Sequence, residues 1–134
     1  PYLLRHSAPN LTEADFIALA GLLEEYSGTI EANEVNRWGE LNTAFHLGLY
    51  ARANRPRALA TVAMLLRESD RYTRLQLAAS VEYQQRAQLE HWELLRLCRM
   101  RSQDAAAALM EAHIRHVLDT LAAILAEAPA NASA

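Results

Sequence analysis

Apolar residues recur along this chain with the period of an α-helix, and no stretch has the alternation of a β-strand. Thr12, followed by acidic residues, is a typical N-cap and predicts a helix from about 12 to 31. Further helices are predicted from about 34 to Asn54, from Pro56 to about 79, from about 81 to 101, and from about 103 to 126. Short connections between long amphipathic helices favour antiparallel neighbours, so we predict an all-α antiparallel helical bundle of about five to seven helices.

The composition is typical of one compact domain and argues against two classes of partner. The chain has 134 residues, of which 51% are hydrophobic and 22% are charged. Its net charge is -3 and no block of Lys and Arg is present, so this chain alone is not expected to bind nucleic acid. No apolar run reaches the roughly 18 residues of a membrane span, and no signal peptide precedes the first helix. We predict a cytoplasmic protein without a membrane partner.

The two ends of the sequence raise separate expectations. The opening residues, Pro1 to His6, read like the last part of a helix, which favours a fragment of a longer protein. Ala, Asn and Ser residues around Pro129 predict a frayed tail over 127–134. We therefore expect a single domain over 1–134, with an ordered core from about 11 to 126.

Three histidines, His46, His91 and His113, lie in the apolar stripes of three different predicted helices. A neutral imidazole in a dry seam needs partners for both ring nitrogens, so three converging histidines require an explanation. Asn42 lies one helical turn before His46 on the same face. His91 and His113 are 22 residues apart, which allows them to face each other across two antiparallel helices. We therefore predict a metal site at these three histidines. His116 points to the flank of the apolar stripe of the last predicted helix, where contact with solvent or a partner is expected.

These histidines also carry a resemblance to a known family. Five features of the sequence together resemble the FCD effector domain of FadR-type GntR transcriptional regulators. They are the segments Asn42-Thr43-Ala44-Phe45-His46, Glu90-His91 and Ala112-His113-Ile114, the helix break at Asn54-Arg55-Pro56, and the alanines after Asp104. The resemblance covers roughly residues 11 to 126. It implies that four residues bind the metal, namely Asn42, His46, His91 and His113. It further implies an effector-binding and dimerisation domain whose first helix is truncated here, with a winged helix-turn-helix DNA-binding domain expected upstream.

The position of Asn42 is commonly an aspartate in that family. Three imidazoles and a neutral amide would leave a divalent ion with a net charge of about +2 instead of +1. We expect this difference to weaken metal affinity and to favour an anionic effector. Imidazole ligands make Zn²⁺ the first choice, with Ni²⁺ or Mn²⁺ as alternatives if water completes a six-coordinate shell. The resemblance therefore implies a small carboxylate effector, bound at open positions on the ion.

Arg67, Arg71 and Tyr72 are further candidates for binding that effector. Arginine grips carboxylates through two parallel hydrogen bonds, and members of the family commonly have arginines around the pocket. Arg71 is the first choice on this basis. The alternative is a solvated helix edge, in which these arginines pair with neighbours such as Glu68.

Two functions of other classes stay open. Three histidines around an ion with an open position also suit a metal-dependent, hydrolase-like enzyme. Such an enzyme needs a general base, and Glu90 lies about 100° away from His91 around the helix. The other alternative is a structural helical interaction module whose histidines bind no ligand. We predict a homodimeric sensor that is not an enzyme and that contacts DNA only through the missing domain.

Overall fold

The computed structural model describes residues 1–127 and shows a bundle of α-helices. The six α-helices of this part of the chain are α1 (Tyr2–Ser7), α2 (Glu13–Glu31), α3 (Val35–Tyr50), α4 (Pro56–Ala79), α5 (Val81–Arg99) and α6 (Gln103–Glu127). A 3-10 helix, Ala8–Asn10, connects α1 to α2. No strand occurs within residues 1–127, so the predicted all-α class and the number of helices are confirmed. The tail expected over 127–134 lies, beyond Glu127, outside the described residues.

Local sequence signals determine where several helices begin. The Thr12 hydroxyl accepts a hydrogen bond from the Asp15 N–H, and the Asp15 carboxylate accepts one from the Thr12 N–H, so a capping box starts α2. Pro56 occupies the first turn of α4, where its missing N–H costs no helical hydrogen bond. The Ser80 hydroxyl accepts from the Glu82 N–H and starts α5. These starts agree with the sequence pattern.

Three of the connections contain a residue in the left-handed region of backbone space. Asn33 has φ 55°, Asn54 has φ 51° and Arg101 has φ 61°. Asparagine tolerates this conformation better than most residues. Arg101 is held in place because its guanidinium donates to the carbonyls of Ala8 and Leu11 at 2.7 and 2.9 Å. The tight connections bring consecutive helices from α2 to α6 into contact with one another.

The hydrophobic core lies where α2, α3, α5 and α6 meet. Its fully buried side chains include Phe45, Leu49, Leu94 and Met110. A second buried cluster joins α2, α3 and α4 and consists of Tyr26, Trp38, Leu41 and Leu77. No helix within residues 1–127 combines the length and the apolar character that crossing a membrane requires.

The packed part of the chain extends further towards the N-terminus than we expected from the sequence. Leu3 and Leu4 of α1 are buried in the main core, together with Ala8. Helix α1 contacts α3 and α6, which explains why so short a helix is stable. The core therefore begins near Leu3 and not near residue 11.

Candidate metal centre and ligand cavity

Three buried histidines from three different helices meet inside the bundle. His46 lies on α3, His91 on α5 and His113 on α6. The ring centroids are 5.1 Å apart for His46 and His91, 5.3 Å for His46 and His113, and 4.9 Å for His91 and His113. One ring nitrogen of each residue lies within 4.8 Å of those of the other two. The structure thus brings together the three histidines that the helical spacing pointed to.

These histidines present ring nitrogens that have no other partner. Nδ1 of His46 and both ring nitrogens of His91 are buried without a hydrogen-bond partner among the described residues. Burial lowers the pKa of His46 to about 3, and the neighbouring His113 adds to this effect. Burial likewise lowers the pKa of His91 well below its usual value. Both rings are therefore neutral near pH 7, the form in which imidazole binds a metal.

Glu90 fixes the orientation of the third histidine. Its Oε2 lies 2.6 Å from Nδ1 of His113, and its Oε1 lies 2.6 Å from Nδ1 of His116. An ionised carboxylate only accepts, so these contacts assign the proton to Nδ1 of each ring and leave Nε2 of His113 free. Burial raises the pKa of Glu90, but the hydrogen bonds from His113 and His116 outweigh it and lower the pKa overall. Glu90 is thus an ionised carboxylate that holds two rings of α6.

The distances fit a single transition-metal ion. Zinc binds imidazole nitrogen at about 2.0–2.1 Å, so two nitrogens on one ion are about 3.0 to 4.2 Å apart. One nitrogen of each ring lies within 4.8 Å of the other two, which is close to that range. An orphaned donor set, neutral ligands and an oriented third ring all fit a metal site. The fit is independent of any sequence resemblance.

Asn42 belongs to the same region of the structure. It lies one turn before His46 on α3 and is partly buried. It lines an internal cavity together with His46 and His113. Three of the four predicted ligands thus line this cavity, and His91 is buried next to them, with its ring 5.1 Å from that of His46.

The cavity has a volume of about 260 Å³ and lies next to the histidines. Helix α4 contributes Val62, Leu66 and Leu77 to its wall, and α6 contributes Ile114, Val117 and Leu118. Arg86 of α5 and Tyr26 of α2 also line it. A pocket with apolar walls and a few convergent polar groups is the usual form of a small-molecule site.

The structure does not bring Arg67, Arg71 or Tyr72 into this wall. These residues lie on other faces of α4 than Leu66 and Thr73, because each residue advances by about 100° around the helix. Arg71 lies over the ring of Tyr72, with 4.5 Å between its guanidinium carbon and the ring centroid, and its side chain donates to the Tyr72 hydroxyl. The arginine that does line the cavity is Arg86, which sequence reasoning missed. Its place one turn before Glu90 was the available signal.

Comparison with known proteins agrees with this fold. A solved structure described as a transcriptional regulator, a GntR family member from Pseudomonas syringae pv. tomato str. DC3000, is similar to this chain with a TM-score of 0.71 and 27% sequence identity. The similarity covers 93% of this chain and 52% of that protein, so this chain spans about half of its length. No curated protein matches the chain.

The fold thus resembles about half of a GntR-family transcriptional regulator. Residues 1–116 match the sequence profile of the FCD domain. The chain belongs to the FCD domain family. The membership of the FCD family that the histidine segments predicted is confirmed, and the match begins earlier in the chain than the resemblance seen in the sequence.

Proposed function

We propose that this chain is the effector-binding and dimerisation domain of a GntR-type transcriptional regulator and that it senses a small organic acid beside a bound metal ion. The observation that carries the proposal is the set of orphaned ring nitrogens on His46 and His91 next to the cavity. Leaving buried polar atoms unpaired costs about 1–3 kcal/mol each, so a protein that keeps them is expected to use them.

The metal would be held by His46, His91 and the Nε2 atom of His113, with Asn42 as the fourth ligand. A divalent ion, Zn²⁺ first and Ni²⁺ or Mn²⁺ as alternatives, would supply positive charge and open coordination positions to an anion. Because Asn42 is neutral, this charge is not compensated by a protein ligand, which favours a carboxylate in the cavity. Arg86 also lines the cavity, and its guanidinium pairs with Glu82 at 3.4 Å.

A sensor is favoured over an enzyme by the position of Glu90. Among the described residues that line the cavity, Glu90 is the one with an acidic side chain. Both of its oxygens are engaged with ring nitrogens at 2.6 Å. A general base has to reach the proton that it removes, and Glu90 is already committed to holding His113 and His116.

The position of the cavity between two helices also explains how effector binding would be coupled to regulation. Its walls come from α4 and α6, so an occupant that contacts both helices would favour one relative placement of them. A typical coupling of this kind amounts to about 1–3 kcal/mol. In the whole protein, we propose, the domain forms a homodimer in the cytoplasm and passes this change to a separate DNA-binding domain.

Titration calorimetry of the chelator-treated protein with Zn²⁺, Ni²⁺ and Mn²⁺ tests the proposal. We expect one ion per chain for the wild type and at least a hundredfold weaker binding for His46→Ala. His6→Ala is the matched control, since His6 lies on α1 and contacts Tyr2. Equal binding by wild type and His46→Ala, or no binding by either, contradicts the proposal.

A further inference from the structure

Tyr26 is a buried group that the proposed metal site does not use. Its side chain is 2% exposed, and its hydroxyl has no hydrogen-bond partner within the described part of the chain. Tyr26 lines the cavity together with Asn42, His46 and His113, and its ring lies 5.7 Å from that of His91. Tyrosine hydroxyls that are buried usually have a partner, so the orphaned hydroxyl at this place points to a ligand.

The chemistry of this hydroxyl defines what it can bind. Burial raises the pKa of Tyr26, so the group stays protonated and can donate a hydrogen bond. The other buried tyrosine of the cavity differs, because the Tyr50 hydroxyl already donates to the Met110 sulfur at 3.3 Å. Tyr26 is thus a free donor beside the three histidines, and an oxygen of an anion is its best acceptor.

The rest of the cavity is apolar in character. The walls from α4 and α6 present Val62, Leu66, Leu77, Val117 and Leu118. Two hydroxyls in the α4 wall are engaged with their own helix: Ser69 donates to the Leu65 carbonyl at 2.8 Å and Thr73 to the Ser69 carbonyl at 3.4 Å. Gln76, Tyr83 and Thr120 are further polar residues of the lining, but most of the wall that an occupant meets is apolar, so the hydroxyls of a sugar acid would lose most of their hydrogen bonds to water on entry.

The size of the cavity limits the occupant further. A volume of about 260 Å³ corresponds to roughly nine water molecules at about 30 Å³ each. The occupant is therefore an organic molecule of about ten non-hydrogen atoms.

We propose that the effector is a compact monocarboxylate with a hydrocarbon body, that its carboxylate accepts a hydrogen bond from Tyr26, and that its body packs between α4 and α6. This inference rests on the proposed function, because the acid is assumed to bind beside the metal. It adds two points to the proposed function: the class of the acid, and Tyr26 as a residue that binds its carboxylate.

The test compares two acids of similar size and opposite polarity, hexanoate and threonate, titrated into the metal-loaded protein. Metal binding is measured first and separately, so that absence of metal binding overturns the proposed function and not the choice of acid. We expect hexanoate to bind at least tenfold more tightly than threonate. If metal binds but threonate binds equally or better, the inference is wrong.

Tyr26→Phe tests the hydrogen bond. We expect at least tenfold weaker binding of hexanoate, the usual loss for a bond to a charged acceptor, with metal affinity unchanged within about twofold. Tyr2→Phe is the matched control, since the Tyr2 hydroxyl accepts from Arg55 on the surface and should leave both affinities unchanged. Unchanged hexanoate affinity in Tyr26→Phe would mean that water is the partner of this hydroxyl and would overturn its assignment.

Val117→Thr gives a second readout that does not depend on Tyr26. It adds a hydroxyl to the α6 wall at nearly constant shape, and we expect it to reduce the preference for hexanoate over threonate. An unchanged preference would show that the acid does not pack against this wall.

Discussion

Replacing His91 by leucine should stabilise the metal-free domain while abolishing metal binding. His91 is 1% exposed, and both of its ring nitrogens lack a partner within the described residues. The rings around it are those of Phe45 at 4.9 Å and Tyr26 at 5.7 Å, together with His46 at 5.1 Å and His113 at 4.9 Å. The metal-free protein thus contains a buried polar ring whose two nitrogens no described residue satisfies.

The magnitude follows from the two orphaned nitrogens. Each costs about 1–3 kcal/mol when buried without a partner, and both costs disappear in His91→Leu. Because leucine differs in shape from histidine, it packs imperfectly at this site, which offsets part of the gain by about 1–3 kcal/mol. We expect the free energy of unfolding of the metal-free protein to rise by about 1–3 kcal/mol, or about 4–12 °C in Tm for a domain of this size.

Thermal and urea unfolding, each with chelator and with added metal, measure this effect. Metal at a hundred times its Kd should stabilise the wild type by about 2.7 kcal/mol and should leave His91→Leu unchanged. His6→Leu on α1 is the control and should stay within about 0.5 kcal/mol of the wild type in both conditions. A metal-free His91→Leu that is less stable than the wild type by more than about 1 kcal/mol would refute the reasoning from the orphaned nitrogens.

The remaining predictions concern the charge and orientation of the site. Glu90→Gln should weaken metal binding by about 10- to 100-fold, because His113 loses the carboxylate that orients it. Glu111→Gln, on the surface of α6, is the control and should have no effect in the same titration. Equal metal affinities of Glu90→Gln and the wild type would show that Glu90 does not support the site. Asn42→Asp should tighten metal binding at least tenfold and weaken binding of a carboxylate effector, because the added negative charge compensates the positive charge of the ion. Calorimetry measures both affinities, and weaker metal binding would show that residue 42 is not a ligand. Without metal, the free energy of unfolding should fall as pH drops from about 6.5 towards 3. In this range His46 binds a proton in the unfolded chain, whereas the buried ring of the folded protein stays neutral. The slope should approach about 1.4 kcal/mol per pH unit for each of His46 and His91, and urea unfolding in chelator that shows no slope in this range would contradict the assignment.

The helices could be predicted from the sequence because their signals are local. The capping box at Thr12, the proline at the start of α4 and the serine before α5 each act within one helical turn. The early part of the core could not be predicted in this way. Helix α1 has only Tyr2–Ser7, and it is ordered by the distant helices α3 and α6.

The histidine cluster could be predicted in part, for a different reason. Helical period placed His46, His91 and His113 on inward faces, and short connections made those faces converge. The place of the arginines could not be predicted, because it depends on the rotation of α4 relative to the cavity. Arg71 is in the same helix as the wall residues but on another face, and Arg86 lines the cavity from α5.

Tyr26 shows most clearly what a single sequence leaves out. Nothing in its neighbourhood along the chain distinguishes it from a core tyrosine such as Tyr50. The difference between the two hydroxyls is a tertiary one, since Met110 on α6 reaches Tyr50 and no described residue reaches Tyr26.

Elemental analysis of the untagged protein, after dialysis against metal-free buffer, tests the central claim most directly. The wild type should retain about one transition-metal ion per chain, and His91→Leu, folded and prepared in the same way, should retain none. A wild type without metal that also fails to take up Zn²⁺, Ni²⁺ or Mn²⁺ on reloading would contradict the metal site and leave the three histidines as a buried cluster without a ligand.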